Sequence, residues 1–259
     1  MRPSQLPPVV KNLLIINGIM FLLKMTFGTD DLGRNILDNT LGLHALDSPL
    51  FKPWQVISHM FMHGDIGHIF LNMFALFMFG GPIERLWGSK RFLIYYLITG
   101  LGAAALHQGV AWWEAQQHLA VLSQYGVDLD EVKYAASIVG GDMQGANDVL
   151  DGIMRNTGVP EQALVNVFYD QIGVIIGASG AVFGILLAFG MMFPNVQLML
   201  LFPPIPIKAK YFVIGYGLLE LYMGLSQRMG DNVAHFAHVG GMLFGWLLIR
   251  HWKLRRPLM

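Results

Sequence analysis

The chain has 259 residues, 54% of them hydrophobic and only 13% charged, with a mean hydropathy of +0.49 and a formal net charge of +0. A soluble domain carries about 25% charged residues, so this composition predicts an integral membrane protein. The neutral balance gives no case for nucleic acid as a partner, and the lack of cysteine excludes disulfides and cysteine–metal sites.

Residues 1–11 are polar and proline-bearing and are expected at the membrane surface. Residues 13–27 form a first span, with Lys24 snorkelling to the interface. No small-residue cleavage site follows, so a retained span is expected, not a removed signal. Residues 29–53 read as a loop, and Phe51-Lys52-Pro53-Trp54 suits the headgroup level. Residues 66–79 form a second span ending at Gly80-Gly81-Pro82, and residues 92–112 a third. A polar, mostly helical insert follows over 113–171. Helix starts are expected at Asp128-Leu129-Asp130-Glu131, at Asn147-Asp148 and at Pro160-Glu161, with breaks at Gly140-Gly141 and Asn156-Thr157-Gly158. Residues 172–193 form the fourth span. Residues 198–201 and Pro203-Pro204-Ile205-Pro206 connect it to the fifth, residues 211–225, which bears Glu220. Residues 234–252 form the sixth, and Lys253 begins a basic tail. The expected fold is all-α, a polytopic bundle of six transmembrane helices. It forms one membrane domain over 1–259, with the insert between helices three and four.

Lys and Arg orient this threading. Arg2, Lys11, Arg85, Lys90, Arg91, Lys208, Lys210, Arg250, Lys253, Arg255 and Arg256 fall on one side, and the opposite loops hold mainly acids. The basic side is expected in the cytoplasm with both termini. The mouths of spans two, four and six, bearing His68, Ser179 and His238, then open outward.

Ser179 lies among small residues in Gly177-Ala178-Ser179-Gly180. A hydroxyl becomes a nucleophile when a neighbour takes its proton, and histidine suits that task near neutral pH. His235 and His238 are the candidates. His238 shares a helical face with Gly241 and Gly245, and the fourth span offers a matching surface of Gly177, Gly180, Ala181 and Gly184. Two helices touching through glycine bring a short serine within reach of an imidazole. Spacing alone leaves His235 open, and helix packing alone would explain the glycines. Ser179 also falls early in its helix, where unpaired N–H groups favour a developing oxyanion. His68 and Asn72, at i and i+4, offer further donors on one face. His59, His63 and His68 invite a metal reading, but no His-Glu-x-x-His occurs and no metal is expected. No span holds the acid pair of an aspartyl mechanism. Glu220 is expected either to hydrogen-bond within the bundle or to face water.

These motifs together resemble the rhomboid family of intramembrane serine proteases. Gly177-Ala178-Ser179-Gly180 is similar to that family's nucleophile motif. His238-Val239-Gly240-Gly241-Met242-Leu243-Phe244-Gly245 is similar to its base motif and selects His238 over His235. His68-Ile69-Phe70-Leu71-Asn72 resembles its oxyanion donors. His63, Gly81-x-x-Glu84 and Gly88 also match. Trp54-Gln55 stands where many members have Trp-Arg, and Phe183 where a tyrosine is common, though its ring can still stack on His238. The resemblance implies a Ser179–His238 dyad with no acid as third member. It also implies an oxyanion hole of the Ser179 N–H, His68 and Asn72, with Phe183, Gly177, Gly180, Gly241 and Gly245 in support. No cofactor is implied. The partners implied are single-span membrane protein substrates in a lipid bilayer, and the compact form suits a bacterial plasma membrane. The competing reading is a catalytically inactive rhomboid-like binder of membrane proteins, against which stands the retention of Ser179 and His238. A transporter would favour paired intramembrane charges or inverted repeats, and neither is evident.

Overall fold

The computed structural model describes residues 5–199, 204–226 and 234–254. It is mostly helical. In chain order come α1 (Pro8–Lys24), α2 (Ile36–Leu41), β1 (Leu43–His44), α3 (Gln55–Ser58), a 3-10 turn (His59–Phe61) and α4 (Ile66–Ala75). A π-helical turn (Leu76–Gly80) leads into α5 (Gly81–Trp87), then α6 (Ser89–Ser123), α7 (Leu129–Ile138), α8 (Met143–Thr157) and α9 (Glu161–Ile172). The remainder is β2 (Val174–Ile175), α10 (Ser179–Met192), β3 (Gln197–Met199), β4 (Pro206–Lys208), α11 (Ala209–Ser226) and α12 (His235–His251).

The chain divides into two compact units. One holds residues 1–19, 63–107 and 177–259, the other residues 20–62 and 108–176. In the first, α10 is buried along most of its length and packs most extensively on α12. Glycine makes that approach possible. A Cβ on Gly241 would collide with the Gly180 carbonyl oxygen, and on the side facing α6 one on Gly184 would stand 2.7 Å from the Thr99 side chain. From α6, the Tyr95 hydroxyl donates to the Gly184 carbonyl at 2.7 Å, so a polar group locks the close-packed layer. The Glu84 carboxylate accepts from the N–H groups of Val9 (3.0 Å) and Val10 (2.8 Å), capping α1, and from the Ser89 hydroxyl at 2.7 Å. Large apolar side chains cover the outward faces of these helices, among them Phe70, Leu71, Leu218, Leu225 and Leu247. So many exposed large apolar side chains suit lipid, not water. Among the described residues, Ile66–Trp87 and Ser89–Ser123 are long and apolar enough to cross a membrane.

The second unit is built on side-chain packing. Val132, Ala135 and Ala136 of α7, Ile153 of α8, and Leu164 and Val167 of α9 share one core. Helices α7 and α8 start on side-chain caps, with Asp128 accepting from the Asp130 N–H at 2.9 Å and Asp142 from the Gly145 N–H at 2.8 Å, whereas α9 follows Pro160 without one. Gly158, in the left-handed region (φ 70°), ends α8. Buried Gln55 ties its loop together. Its Oε1 accepts from the Lys52 N–H at 3.0 Å and its Nε2 donates to the Leu50 carbonyl at 3.1 Å, so this departure from Trp-Arg has an internal hydrogen-bonding role. Burial lowers the imidazole pKa of His44 and of His59 below the ordinary 6.5.

Several expected boundaries move. Gly80-Gly81-Pro82 does not end the second helical stretch. The π turn places Pro82 at the start of α5, where a missing N–H costs no helix bond. The third stretch runs on to Ser123, because residues 110–123 are polar in part yet contain no Gly or Pro. Helix α8 starts at Met143, before the expected Asn147-Asp148, because Asp142 caps it. Residues 174–175, expected inside a span, form β2 and pair with β1 (Leu43↔Ile175, His44↔Val174). The connector after α10 contains the hairpin β3–β4, with Leu198 opposite Ile207. Among the described residues the fold is therefore mostly helical, with four strands of two or three residues each at the edges of the helices. Arg2, Leu200, Leu201, Pro203, Arg255 and Arg256 lie outside the described residues.

Candidate active site

Ser179 is the first residue of α10. The first N–H of this helix to find an i−4 carbonyl is that of Val182, which bonds Ala178 at 3.0 Å. The N–H groups before it present partial positive charge at the helix mouth. Ser179 itself is partly exposed there, whereas the rest of α10 is mostly buried.

His238, one turn into α12, sets its Nε2 2.9 Å from the Ser179 Oγ. The glycine contact between Gly180 and Gly241 brings the two helices this close. The Phe183 ring lies against the His238 imidazole with centroids 4.1 Å apart and planes within 10°. Tyr216 of α11 packs on the other partner of that stack, 4.9 Å from Phe183. His235 does not face the serine. Its Nδ1 lies 2.6 Å from the Glu220 Oε2.

His68 and Asn72 sit on α4. Asp65 caps that helix by accepting the His68 N–H at 2.9 Å. The His68 Nδ1 accepts from the Gly64 N–H at 3.3 Å, so in the neutral ring the proton resides on Nε2. That Nε2 would stand 2.9 Å from a Cβ placed on Gly177, and the Ser179 Oγ would stand 3.6 Å from the same point. A side chain at 177 is thus excluded by contact as well as by its φ of +132°. The Asn72 side chain is buried, 5% exposed, and its Nδ2 has no hydrogen-bond partner. A buried amide without a partner costs about 1–3 kcal/mol, which makes it a donor in want of an acceptor. His63 packs edge-on against His68 at 5.0 Å.

One neighbour was not foreseen. The Glu220 Oε2 on α11 lies 2.8 Å from the His238 Nδ1, so an acid does stand behind the imidazole, contrary to the expectation of a two-residue arrangement. Glu220 falls six residues before the end of α11 and His238 three after the start of α12. Contact between α11 and α12 brings these positions together, and the sequence hinted at it only through a lone acid in an apolar stretch. Glu220, His235 and His238 also form the one group among the described residues with metal-ligand spacing, their donor atoms all within 4.8 Å of one another.

The arrangement sets a partly exposed hydroxyl within hydrogen-bond distance of an imidazole, with the His68 ring beside Gly177. A family model described as the rhomboid domain matches residues 51–116 and 153–253. The chain is 28% identical over 257 residues to "RHOMBOID-like protein 12, mitochondrial" of Arabidopsis thaliana, covering 95% of this chain and 60% of that protein. It is 26% identical over 196 residues to "Rhomboid protease AarA" of Providencia stuartii, covering 75% of this chain and 54% of that protein. It is 26% identical over 198 residues to "Rhomboid protein 1, mitochondrial" of Saccharomyces cerevisiae, covering 75% of this chain and 41% of that protein. The chain therefore spans less than two thirds of the length of each of these relatives.

Proposed function

The chain belongs to the rhomboid family, whose members are integral membrane proteins, and from that premise we propose that it is an intramembrane serine endopeptidase. Ser179 is its nucleophile and His238 its general base. The observation that carries this reading is the 2.9 Å pairing of the Ser179 Oγ with the His238 Nε2 at an open helix mouth. A relative named as a rhomboid protease, matched over 75% of this chain, supports it.

The proposed reaction begins when the Ser179 Oγ attacks the scissile carbonyl carbon while His238 Nε2 takes the hydroxyl proton. The carbonyl oxygen, now an anion, accepts from the Ser179 N–H, the His68 Nε2–H and the Asn72 Nδ2–H. As the tetrahedral intermediate collapses, the C–N bond breaks and His238 gives its proton to the leaving amine. Water, deprotonated by His238, then hydrolyses the acyl-enzyme on Ser179. The substrate segment must be extended, because a helix hides its carbonyls in its own hydrogen bonds. Helix-weakening residues near the cleavage point should therefore speed cleavage.

We further infer six membrane-crossing segments within one domain, four of them formed by elements shorter or less apolar than Ile66–Trp87 and Ser89–Ser123. The charge asymmetry favours cytoplasmic termini, an outward-opening site and an extracytoplasmic insert over 113–171. We propose single-span membrane proteins as its substrates. The expected bacterial plasma membrane gains no support from the relatives, since two that match most of the chain carry mitochondrial names. The test is cleavage of a panel of single-span substrates in liposomes. Wild type should cleave, and Ser179→Ala and His238→Ala should each lose about 10⁴-fold or more in kcat without loss of fold. A fully active Ser179→Ala protein would sink the reading, and a wild type inert toward every substrate and every serine-directed probe would favour the inactive binder.

A further inference from the structure

We propose that Glu220 is a positioning residue for the reaction, holding His238 in its working tautomer and stabilising its imidazolium. This inference rests on the protease reading above. Three observations lead to it. First, the Glu220 Oε2, the two imidazole nitrogens of His238 and the Ser179 Oγ form one relay, with separations of 2.8 Å and 2.9 Å at its two ends. For Nε2 to receive the serine proton, Nδ1 must already carry one, and a Nδ1–H needs an acceptor. The carboxylate oxygen is that acceptor. Second, the stack on Phe183 fixes the plane of the imidazole but leaves open the half-turn about Cβ–Cγ that exchanges its nitrogens with its carbons. A hydrogen bond at the edge of the ring removes that freedom. Third, the site is built to hold the acid in place. Glu220 is 4% exposed and His238 8% exposed, and the Nδ1 of His235, itself buried, lies 2.6 Å from the same carboxylate oxygen. A charge in so dry a place stays only when paired. There its attraction for an imidazolium formed during reaction is stronger than it would be in water.

A purely structural role is the competing explanation, since Glu220 also ties α11 to α12 through both histidines. Glutamine separates the two. It keeps the length and an acceptor oxygen, so it keeps a helix tie, but it removes the negative charge that the imidazolium needs. In liposomes with a single-span substrate, Glu220→Gln is expected to lose about 100-fold in kcat at little-changed KM. Its unfolding temperature should stay within about 3 °C of wild type. Glu220→Asp, which keeps the charge, should recover part of that loss. A Glu220→Gln protein that turns over within about twofold of wild type would overturn the proposal. If the variant does not fold, the wild-type protein labelled with ¹⁵N-histidine decides the matter. A slowly exchanging, strongly downfield Nδ1–H of His238 is expected, and a His238 protonated on Nε2 in the resting enzyme would contradict it. Cleavage by wild type with no loss in Glu220→Gln would remove only this role, whereas failure of wild type itself to cleave would remove the protease reading beneath it.

Discussion

The two units solve helix packing in opposite ways. Where α10 meets α12, side chains are absent: Gly180 and Gly241 bring backbones into direct contact, and a single methyl group would collide with a carbonyl oxygen. Around α7, α8 and α9, side chains are the packing material, with Leu164, Ile153 and Val167 filling a common core. The difference teaches what each kind of packing is suited to. Backbone contact leaves little room for adjustment and can hold a hydroxyl and an imidazole in register. Side-chain packing tolerates adjustment and needs only caps and apolar periodicity to assemble. The first unit also holds polar groups that packing alone does not require, such as the Asn72 amide and the Glu220 carboxylate. Such departures from local economy are characteristic of functional sites.

The sharpest test of that contrast inside the first unit is Asn72→Ala. If the unpartnered amide is an oxyanion donor, kcat should fall by about 10²-fold with little change in KM, and stability should not decrease. A loss of stability with unchanged kcat would make it an ordinary packing residue. Next in size is the same small addition made in each unit. Gly241→Ala should destabilise by about 2 kcal/mol, because its methyl overlaps the Gly180 carbonyl, and cleavage should fall as Ser179 and His238 move apart. Acidification should act on the second unit. The folded-state pKa values of His44 and His59 are lowered by burial, so both stay neutral when folded. Their contribution is present above 6.5 and lost as pH falls through the folded values, so thermal unfolding at pH 5.5 should come about 2–4 °C below that at pH 7.5. Replacing both histidines with glutamine should flatten that dependence. The smallest expected effect is Gly152→Ala in α8, where nothing lies within 4 Å of the added methyl. It should stabilise by about 0.5–1 kcal/mol, the reverse sign of Gly241→Ala.

How far the sequence reached follows the same division. In the second unit the starts at Asp128 and Glu161 and the ends at Gly140-Gly141 and Gly158 were readable, because caps and breakers act over a few residues. The start of α8 was misplaced because Asn147-Asp148 resembles a cap more than Asp142 does by composition alone. The strands β1 and β2 were not readable, since their pairing spans about 130 residues and each is only two residues long. In the first unit, the glycine face of His238, Gly241 and Gly245 pointed to the helix that meets Ser179, and Phe183 was placed for stacking. The resemblance, not spacing, separated His238 from His235. Glu220 was noticed as the one acid in its span, but its partner depended on how α11 and α12 align, which no periodicity records. The π turn that carries the chain past Pro82 was likewise hidden, because local signals there all favour a stop.

The central claim is that Ser179 is activated by His238, and it is tested most directly by a fluorophosphonate probe on the full chain in liposomes, with the labelled residue mapped by mass spectrometry. The expected result is a single adduct on Ser179 that forms with wild type, is absent from Ser179→Ala and forms far more slowly with His238→Ala. Labelling at Ser179 that proceeds as fast without His238, or an adduct on a different serine, would contradict it.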